Sequence, residues 1–123
     1  MDNQLTGEII GAAIEVHRHL GPGLLESVYE ESLMYELSQQ GLTVQRQLEL
    51  PVIYKGKQLN TNYRIDLLVN NEVIVELKSV QRIENIHKAQ LLTYLKMSKR
   101  RYGLLLNFNV PIMKQGICRL LNG

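Results

Sequence analysis

Apolar residues recur every three or four positions along the N-terminal part of the chain, which is the spacing of amphipathic helices. Over residues 3–20 this pattern predicts a first helix, which ends at Gly21-Pro22-Gly23 because glycine and proline do not continue a helix. A second helix is predicted from about Leu24 to Gln40, with Gly41 as a natural C-terminal cap. The residues that this second helix is expected to bury are Leu25, Val28, Leu33 and Leu37.

The middle of the chain changes to the composition and alternation of β-strands. Strands are predicted at residues 43–50, 52–54, 58–69 and 73–80, with a turn at Lys55-Gly56-Lys57. A third helix at about 86–97 and a buried strand at 102–108 follow, whereas the tail 110–123 is short and mixed and no element is predicted there. With the adjoining strands 43–50 and 52–54 counted as one, the order α-α-β-β-β-α-β predicts an α/β fold, in which a mixed β-sheet is flanked by helices in a single domain spanning residues 1–123.

The segment from Tyr63 to Val80 carries the most information, because it reads as a β-hairpin with one charged and one apolar face. The loop is predicted at Asn70-Asn71-Glu72, since asparagine tolerates the left-handed conformation of tight turns. With this loop Val69 lies opposite Val73, and one face becomes wholly apolar: Ile65, Leu67, Val69, Val73, Val75 and Leu77. A two-residue loop would mix this set, because successive side chains alternate between faces. Hydrophobic burial therefore selects the three-residue loop.

In this register the other face carries Arg64, Asp66, Glu76 and Lys78, with Asp66 directly across from Glu76. Directly opposed Cβ atoms lie about 4.5–5.5 Å apart, so the two like charges repel unless a positive charge lies between them. A metal ion would supply that charge. Surface ion pairs with Arg64 or Lys78 would supply it as well, so the hairpin alone leaves both interpretations open.

The spacing Asp66, nine residues, Glu76-Leu77-Lys78 resembles the D-x(n)-(D/E)-x-K core of the PD-(D/E)XK nuclease-like superfamily. Gly23-Leu24-Leu25-Glu26-Ser27-Val28-Tyr29 also resembles G-x-x-E-x-x-Y, the signature that names one family of small proteins in that superfamily. Further similar blocks follow in the same order and cover nearly the whole chain: Val16-His17, Gly21-Pro22-Gly23, Tyr54-Lys55-Gly56, Gln90 to Leu95 and Leu104 to Phe108. Ile65 stands where the superfamily motif has its proline, a position that varies widely.

The resemblance implies a restriction-endonuclease-like αβββαβ core, here with an extra N-terminal helix. It implies a nuclease that binds Mg²⁺ or Mn²⁺ through Asp66, Glu76 and Glu26, ions that prefer hard oxygen ligands. Lys78 would orient the attacking water or stabilise charge on the phosphate. Gln90 and Tyr94 resemble the Q-x-x-x-Y element of RecB-like nucleases, and Gln90 joins the four charged residues as a catalytic candidate. The candidates for substrate contact or support of the site are Arg64, His87 and Tyr94, and a surface position is expected for His87.

Composition adds little to this hypothesis. The net charge of +2 is lower than that of most dedicated DNA-binding domains, although DNA or RNA is the expected partner. We expect a cytoplasmic protein, because Cys118 is the only cysteine and no apolar segment is long enough to span a membrane. The small size favours a homodimer or a partner subunit to hold a duplex. The alternative to catalysis is a non-catalytic nuclease-fold module that binds nucleic acid or a protein partner.

Overall fold

A computed structural model of the chain describes residues 3–123. These residues form three α-helices and five β-strands, together with a 3₁₀ turn at Met113–Gly116. The bounds are α1 Gln4–Leu20, α2 Glu26–Gln39, β1 Val44–Tyr54, β2 Lys57–Val69, β3 Val73–Lys78, α3 Asn85–Ser98, β4 Tyr102–Asn107 and β5 Ile117–Leu121. No helix among the described residues is long and apolar enough to cross a membrane.

The five strands form one sheet in the order β1-β2-β3-β4-β5. Neighbours are antiparallel except for β3 and β4, which are parallel because α3 connects them as a crossover. The predicted α/β fold with a mixed sheet flanked by helices is therefore confirmed. The two strands predicted at 43–50 and 52–54 are one continuous edge strand, β1, in which an edge position accommodates Pro51. Strand β5 lies in the tail for which the sequence predicts no element.

Both faces of the sheet are covered. Helices α1 and α2 pack on one face over the first core cluster, which includes Val69, Val75 and Leu106. Helix α3 packs on the other face over the second core cluster, which includes Leu68, Ile74 and Leu105. Burial from both sides explains why β3 and β4 read as continuous apolar runs rather than as alternating strands.

The predicted hairpin register is confirmed near the turn, where Val69 pairs with Val73 and Leu67 with Val75. The prediction for Ile65 is wrong. Its side chain is fully buried, but beneath α3 together with Leu68, and not with Leu67 in the cluster beneath α1 and α2. Regular alternation cannot place residues 65 and 68 on the same face, so it is broken between them. The break lies at Asp66, opposite Gln47 of β1, whose φ of 52° interrupts that strand as well.

The prediction for α2 is also partly wrong. Leu25 is 73% exposed and Val28 is 39% exposed, whereas Leu33 and Leu37 are buried as predicted. The helix begins at Glu26, so Leu25 lies outside it as the N-cap residue. Position 29 therefore faces the core in place of position 28.

Tyr29 joins the turn between α1 and α2 to the core. Its hydroxyl group donates a hydrogen bond to the Gly21 carbonyl at 2.6 Å and accepts one from the Leu24 N–H at 3.1 Å. Its ring is fully buried and stacks on Phe108 with the ring centroids 4.4 Å apart. Tyr29 is thus a core aromatic residue whose hydroxyl group is fully hydrogen-bonded.

Tyr29→Phe is therefore expected to lower the free energy of unfolding by about 1 kcal/mol, because it removes two hydrogen bonds to partly buried backbone groups. Tyr35→Phe is the matched control, since Tyr35 lies on the same helix and is 64% exposed. Urea denaturation of both variants measures the difference. Equal stability of the two variants would show that the Tyr29 hydroxyl group does not stabilise the turn.

Candidate functional site

The strands β2 and β3 part beyond the Leu67–Val75 pair, and two carboxylates take over the hydrogen bonding at this point. The Asp66 N–H donates to Glu76 Oε2 at 2.8 Å, and the Leu77 N–H donates to Asp66 Oδ2 at 2.9 Å. Each acid thus accepts a backbone hydrogen bond from the opposite strand. The two residues that the sequence singled out are brought together by this exchange, and each keeps one oxygen outside it.

The exchange places negative charge in a poorly solvated position. Glu76 is only 5% exposed. Its burial, followed by the charge of Asp66, raises the pKa of Glu76 to about 8. Burial also raises the pKa of Asp66, although the hydrogen bond from Leu77 opposes this shift. The ionised forms of Asp66 and Glu76 are therefore destabilised, and a nearby positive charge would stabilise them.

Lys78 follows Glu76 on the same strand and is half-buried. Its charge lowers the pKa of both acids, which means that its ammonium group lies near them. It nevertheless forms no ion pair within 4.0 Å with any carboxylate of residues 3–123. The ammonium group of Lys78 is consequently left for a further anion.

Strand β4 fixes the end of β3 that carries Lys78. The buried side chain of Asn107 accepts a hydrogen bond from the Val80 N–H at 3.1 Å and donates one to the Val80 carbonyl at 2.9 Å. The Phe108 N–H donates to the Lys78 carbonyl at 3.0 Å. These bonds hold the backbone of Lys78 in place although its side chain has no ionic partner.

Helix α2 contributes two further acids, Glu26 and Glu30, which lie one turn apart on the same helix face. Glu26 Oε2 accepts a hydrogen bond from the Ser79 N–H at 3.3 Å, and its charge raises the pKa of both Asp66 and Glu76. Glu26 thus lies beside the pair, and its role as a metal ligand stays a prediction. Glu30 is buried and also raises the pKa of Asp66, but the sequence did not single it out. Its spacing of four from Glu26 is the signal that indicates it.

Glu30 is held by two residues of β1. The Arg46 guanidinium forms an ion pair with Glu30, and Gln47 Nε2 donates to Glu30 Oε1 at 2.6 Å. The same Gln47 nitrogen lies 3.5 Å from Asp66 Oδ1. Gln47 therefore links α2 to the carboxylate pair from the interrupted point of β1. Sequence reasoning missed both strand residues, because neither belongs to a motif.

Helix α3 places Tyr94 on the other side of the pair. Its ring is buried and lies 5.3 Å from the Tyr63 ring, measured between centroids. Burial, followed by the charge of Glu76, raises the pKa of Tyr94 to about 12, so its hydroxyl group stays protonated and can donate a hydrogen bond at neutral pH. Gln90 is exposed and lines a groove of about 260 Å³ with Tyr63 and Tyr94. Its role in catalysis stays a prediction, because it forms no hydrogen bond with Asp66 or Glu76.

The remaining two candidates, His87 and Arg64, form their hydrogen bonds and ion pairs away from the carboxylate pair. His87 Nδ1 accepts a hydrogen bond from the Glu84 N–H at 2.9 Å and so caps the N-terminus of α3. Arg64 forms an exposed ion pair with Glu49 across β1 and β2 at 3.5 Å, so neither carboxylate of the pair is its partner. The surface ion pair with Arg64 that the sequence left open is therefore not formed.

The donor set fits a hard divalent cation. Glu76 Oε1 takes part in no hydrogen bond with the described residues, and Asp66 Oδ1 has only the long contact with Gln47. Carboxylate oxygens of this kind suit Mg²⁺ or Mn²⁺, which retain several waters and need few protein ligands. Among residues 3–123, however, no three His, Cys, Asp or Glu side chains form a ready metal-binding group. The three predicted ligands, Asp66, Glu76 and Glu26, thus lie near one another but are not preassembled.

Comparison with known families gives one match. A family model for the PD-(D/E)XK nuclease superfamily matches residues 3–120. No curated protein and no solved structure matches the chain significantly. The match includes every residue of the site described above.

Proposed function

Because the chain belongs to the PD-(D/E)XK nuclease superfamily, we propose that it is a metal-dependent nuclease that hydrolyses phosphodiester bonds in DNA or RNA. One observation carries the proposal. Two carboxylates, the half-buried Asp66 and the buried Glu76, exchange backbone hydrogen bonds at the point where two strands part, and neither forms an ion pair with a cation of residues 3–123. An unpaired lysine stands two residues beyond Glu76. This is the combination that a divalent ion and a phosphate would complete.

We further propose that the chain is a member of the GxxExxY family. Each of the three signature residues has its own structural role in placing α2 at the site. Gly23 takes a φ of 91° in the turn that precedes α2, Glu26 lies beside the carboxylate pair, and Tyr29 ties the turn to the core. The signature thus describes the way in which α2 is brought to the site.

In this proposal Asp66, Glu76 and Glu26 hold Mg²⁺ or Mn²⁺. When bound, such an ion lowers the pKa of a water molecule and offsets negative charge on the phosphate oxygens. The attacking water oxygen forms a bond to phosphorus while the bond from phosphorus to the leaving oxygen breaks, and the leaving oxygen takes up a proton. Lys78 stabilises the charge that develops on the phosphate and orients the water. Tyr94 donates a hydrogen bond at the edge of the site, and Gln47 holds Asp66 toward α2.

The alternative is a non-catalytic nuclease-fold module that binds nucleic acid or a protein partner. The observation that favours it is the absence of a preassembled three-ligand group among the described residues.

A cytoplasmic location and a homodimer or partner subunit belong to the nuclease proposal as well. The free thiol of Cys118 suits a reducing compartment, and the small size of the chain leaves a long duplex to be held by more than one subunit.

A gel assay tests the choice. We expect the protein to cleave at least one of single-stranded DNA, duplex DNA, branched DNA and RNA with Mg²⁺ or Mn²⁺, and to cleave none in EDTA. Lys78→Ala protein purified in parallel is the control for a contaminating nuclease. No metal-dependent cleavage of any substrate would leave the non-catalytic module as the function.

A further inference from the structure

The β1–β2 hairpin continues well beyond the rest of the sheet. Its far part, residues 51–64, is called the arm below. Every residue of the arm is exposed except Val52 and Leu59, which are half-exposed. The exposed apolar side chains include Ile53 and Tyr54, at 56% and 60%. The core clusters therefore end at the base of the arm, and its two strands pair only with each other.

The arm ends in a tight turn and is anchored at its base. Tyr54 pairs with Lys57, and the two residues between them, Lys55 and Gly56, have φ of 51° and 79°. Two successive positive φ values describe the hairpin turn whose twist matches that of the strands. At the base, Tyr63 packs against Tyr94, which itself borders the carboxylate pair. The arm is thus a two-stranded ribbon that starts at the candidate active site.

The charged side chains of the arm are all positive. Residues 51–64 contain three cations and no acidic residue, whereas the whole chain has a net charge of only +2. Arg64 is paired with Glu49 at the base of the arm, so the uncompensated charge is that of Lys55 and Lys57. Both lysines lie at the tip and have no carboxylate partner among the described residues. The second strand of the arm adds side chains that donate and accept hydrogen bonds: Gln58, Asn60, Thr61 and Asn62. Basic, amide and hydroxyl groups are those that contact phosphates and base edges.

We propose that the arm enters the major groove of a DNA duplex and aligns that duplex with the carboxylate site. This inference rests on the proposed nuclease function and names its substrate class. The major groove of B-DNA is about 12 Å wide and admits a two-stranded ribbon, whereas the major groove of A-form RNA is too narrow for one. Asp66 follows Lys57 by nine positions, so at about 3.3 Å per residue the tip reaches roughly 30 Å from the site. At 3.4 Å per base pair along one strand, this reach corresponds to about nine base pairs.

The test measures DNA affinity against salt concentration in the Lys78→Ala background with Mg²⁺, so that the duplex is not cut. The arm variant is Lys55→Asn with Lys57→Gln. Asparagine suits the left-handed backbone of position 55, so the turn is kept while its charge is removed. The control variant is Lys99→Asn with Lys96→Gln. It removes the same charge, and Lys99 also has a positive φ of 57°, but it lies at the end of α3 beside the β2–β3 turn, away from the arm.

We expect the arm variant to bind a 24-base-pair DNA duplex at least fivefold more weakly near 0.15 M salt. The slope of log affinity against log salt should become less negative by about 1.8, because each phosphate that the arm no longer neutralises changes the slope by about 0.9. The control variant should keep the slope of the parent. The difference between the two should vanish on single-stranded DNA and on duplex RNA, because neither offers the arm a B-form major groove.

Three results would overturn the inference. The first is an equal loss of affinity in the arm and control variants. The second is the same loss on duplex RNA as on duplex DNA. The third is sedimentation that shows the parent as a dimer and the arm variant as a monomer, which would make the arm a contact between copies. Thermal melting checks that the arm variant is folded, and Lys57→Gln alone replaces it if it is not.

The same experiments distinguish failure of the nuclease proposal from failure of the proposal for the arm. Affinity that depends on the arm, without metal-dependent cleavage by the wild-type chain, would leave a DNA-binding arm on an inactive site. Cleavage by the wild-type chain, with no effect of the arm variant, would refute the arm alone.

Discussion

Lys78→Ala is expected to lower metal-dependent cleavage by roughly 10²–10³-fold, the usual effect of removing a group that stabilises charge in the transition state. The affinity for Mn²⁺ should stay nearly unchanged, because the Lys78 ammonium group forms no ion pair with either carboxylate. Gel assays give the cleavage rate, and calorimetric titration gives the affinity. Lys96→Ala, at an exposed position of α3, is the matched control and should cleave at the rate of the wild type.

Glu76→Gln is the contrasting variant and should lose both metal binding and cleavage. Its amide oxygen can still accept the hydrogen bond from the Asp66 N–H, so the sheet should stay intact while a charged ligand is removed. Loss of metal binding in Lys78→Ala as well would place the lysine among the groups that build the metal site. Equal cleavage by wild type and Lys78→Ala would indicate a contaminant and refute the enzymatic function.

The second large effect is on stability. In metal-free buffer we expect the free energy of unfolding to fall as the pH rises from 5 to 8. The pKa of Glu76 is about 8 in the folded chain against a usual value of 4.5. Between these values the folded chain holds a proton that the unfolded chain has released, so rising pH favours unfolding. At 1.36 kcal/mol per unit of pKa, the loss amounts to at most roughly 5 kcal/mol, a fall in Tm of roughly 15–20 °C for a chain of this size.

Thermal melting across this pH range, with and without Mn²⁺, measures the effect. An ion that binds only the folded chain stabilises it, so Mn²⁺ should restore much of the stability lost at pH 8. Glu76→Gln should flatten the profile because no carboxyl group titrates at this position, whereas Glu8→Gln, at an exposed site of α1, should not. A wild-type chain that is as stable at pH 8 as at pH 5 without metal would contradict the prediction.

The sequence predicts those parts of this fold in which burial alone decides the outcome. The hairpin register follows from the apolar set around Val69 and Val73, and this register brings Asp66 to Glu76. The position of Ile65 could not be predicted in the same way, because alternation holds only while the backbone stays regular. The sequence carries no sign that Gln47 takes a positive φ and that the faces exchange there.

The supporting residues of the site were harder to predict for a different reason. Arg46 and Gln47 lie on a strand that meets α2 only in the folded chain, and their hydrogen bonds with Glu30 follow no spacing in the sequence. Strand β5 was missed because its five residues, Ile117–Leu121, are partly exposed and too short to show a period. In each case the deciding interaction joins segments that are distant in the chain.

The hydrogen bonds that Asp66 and Glu76 accept across the two strands also restrict which substitutions can remove catalysis during evolution without destabilising the sheet. Each carboxylate closes a gap between two strands, so Asp66→Ala or Glu76→Ala would deprive a neighbouring amide of its acceptor at a cost of about 1–3 kcal/mol. Asp66→Asn or Glu76→Gln would abolish the charge and keep the acceptor. Descendants that keep the sheet but abandon hydrolysis should therefore pass through amides at these two positions, whereas Lys78, whose side chain closes no gap, is free to change first.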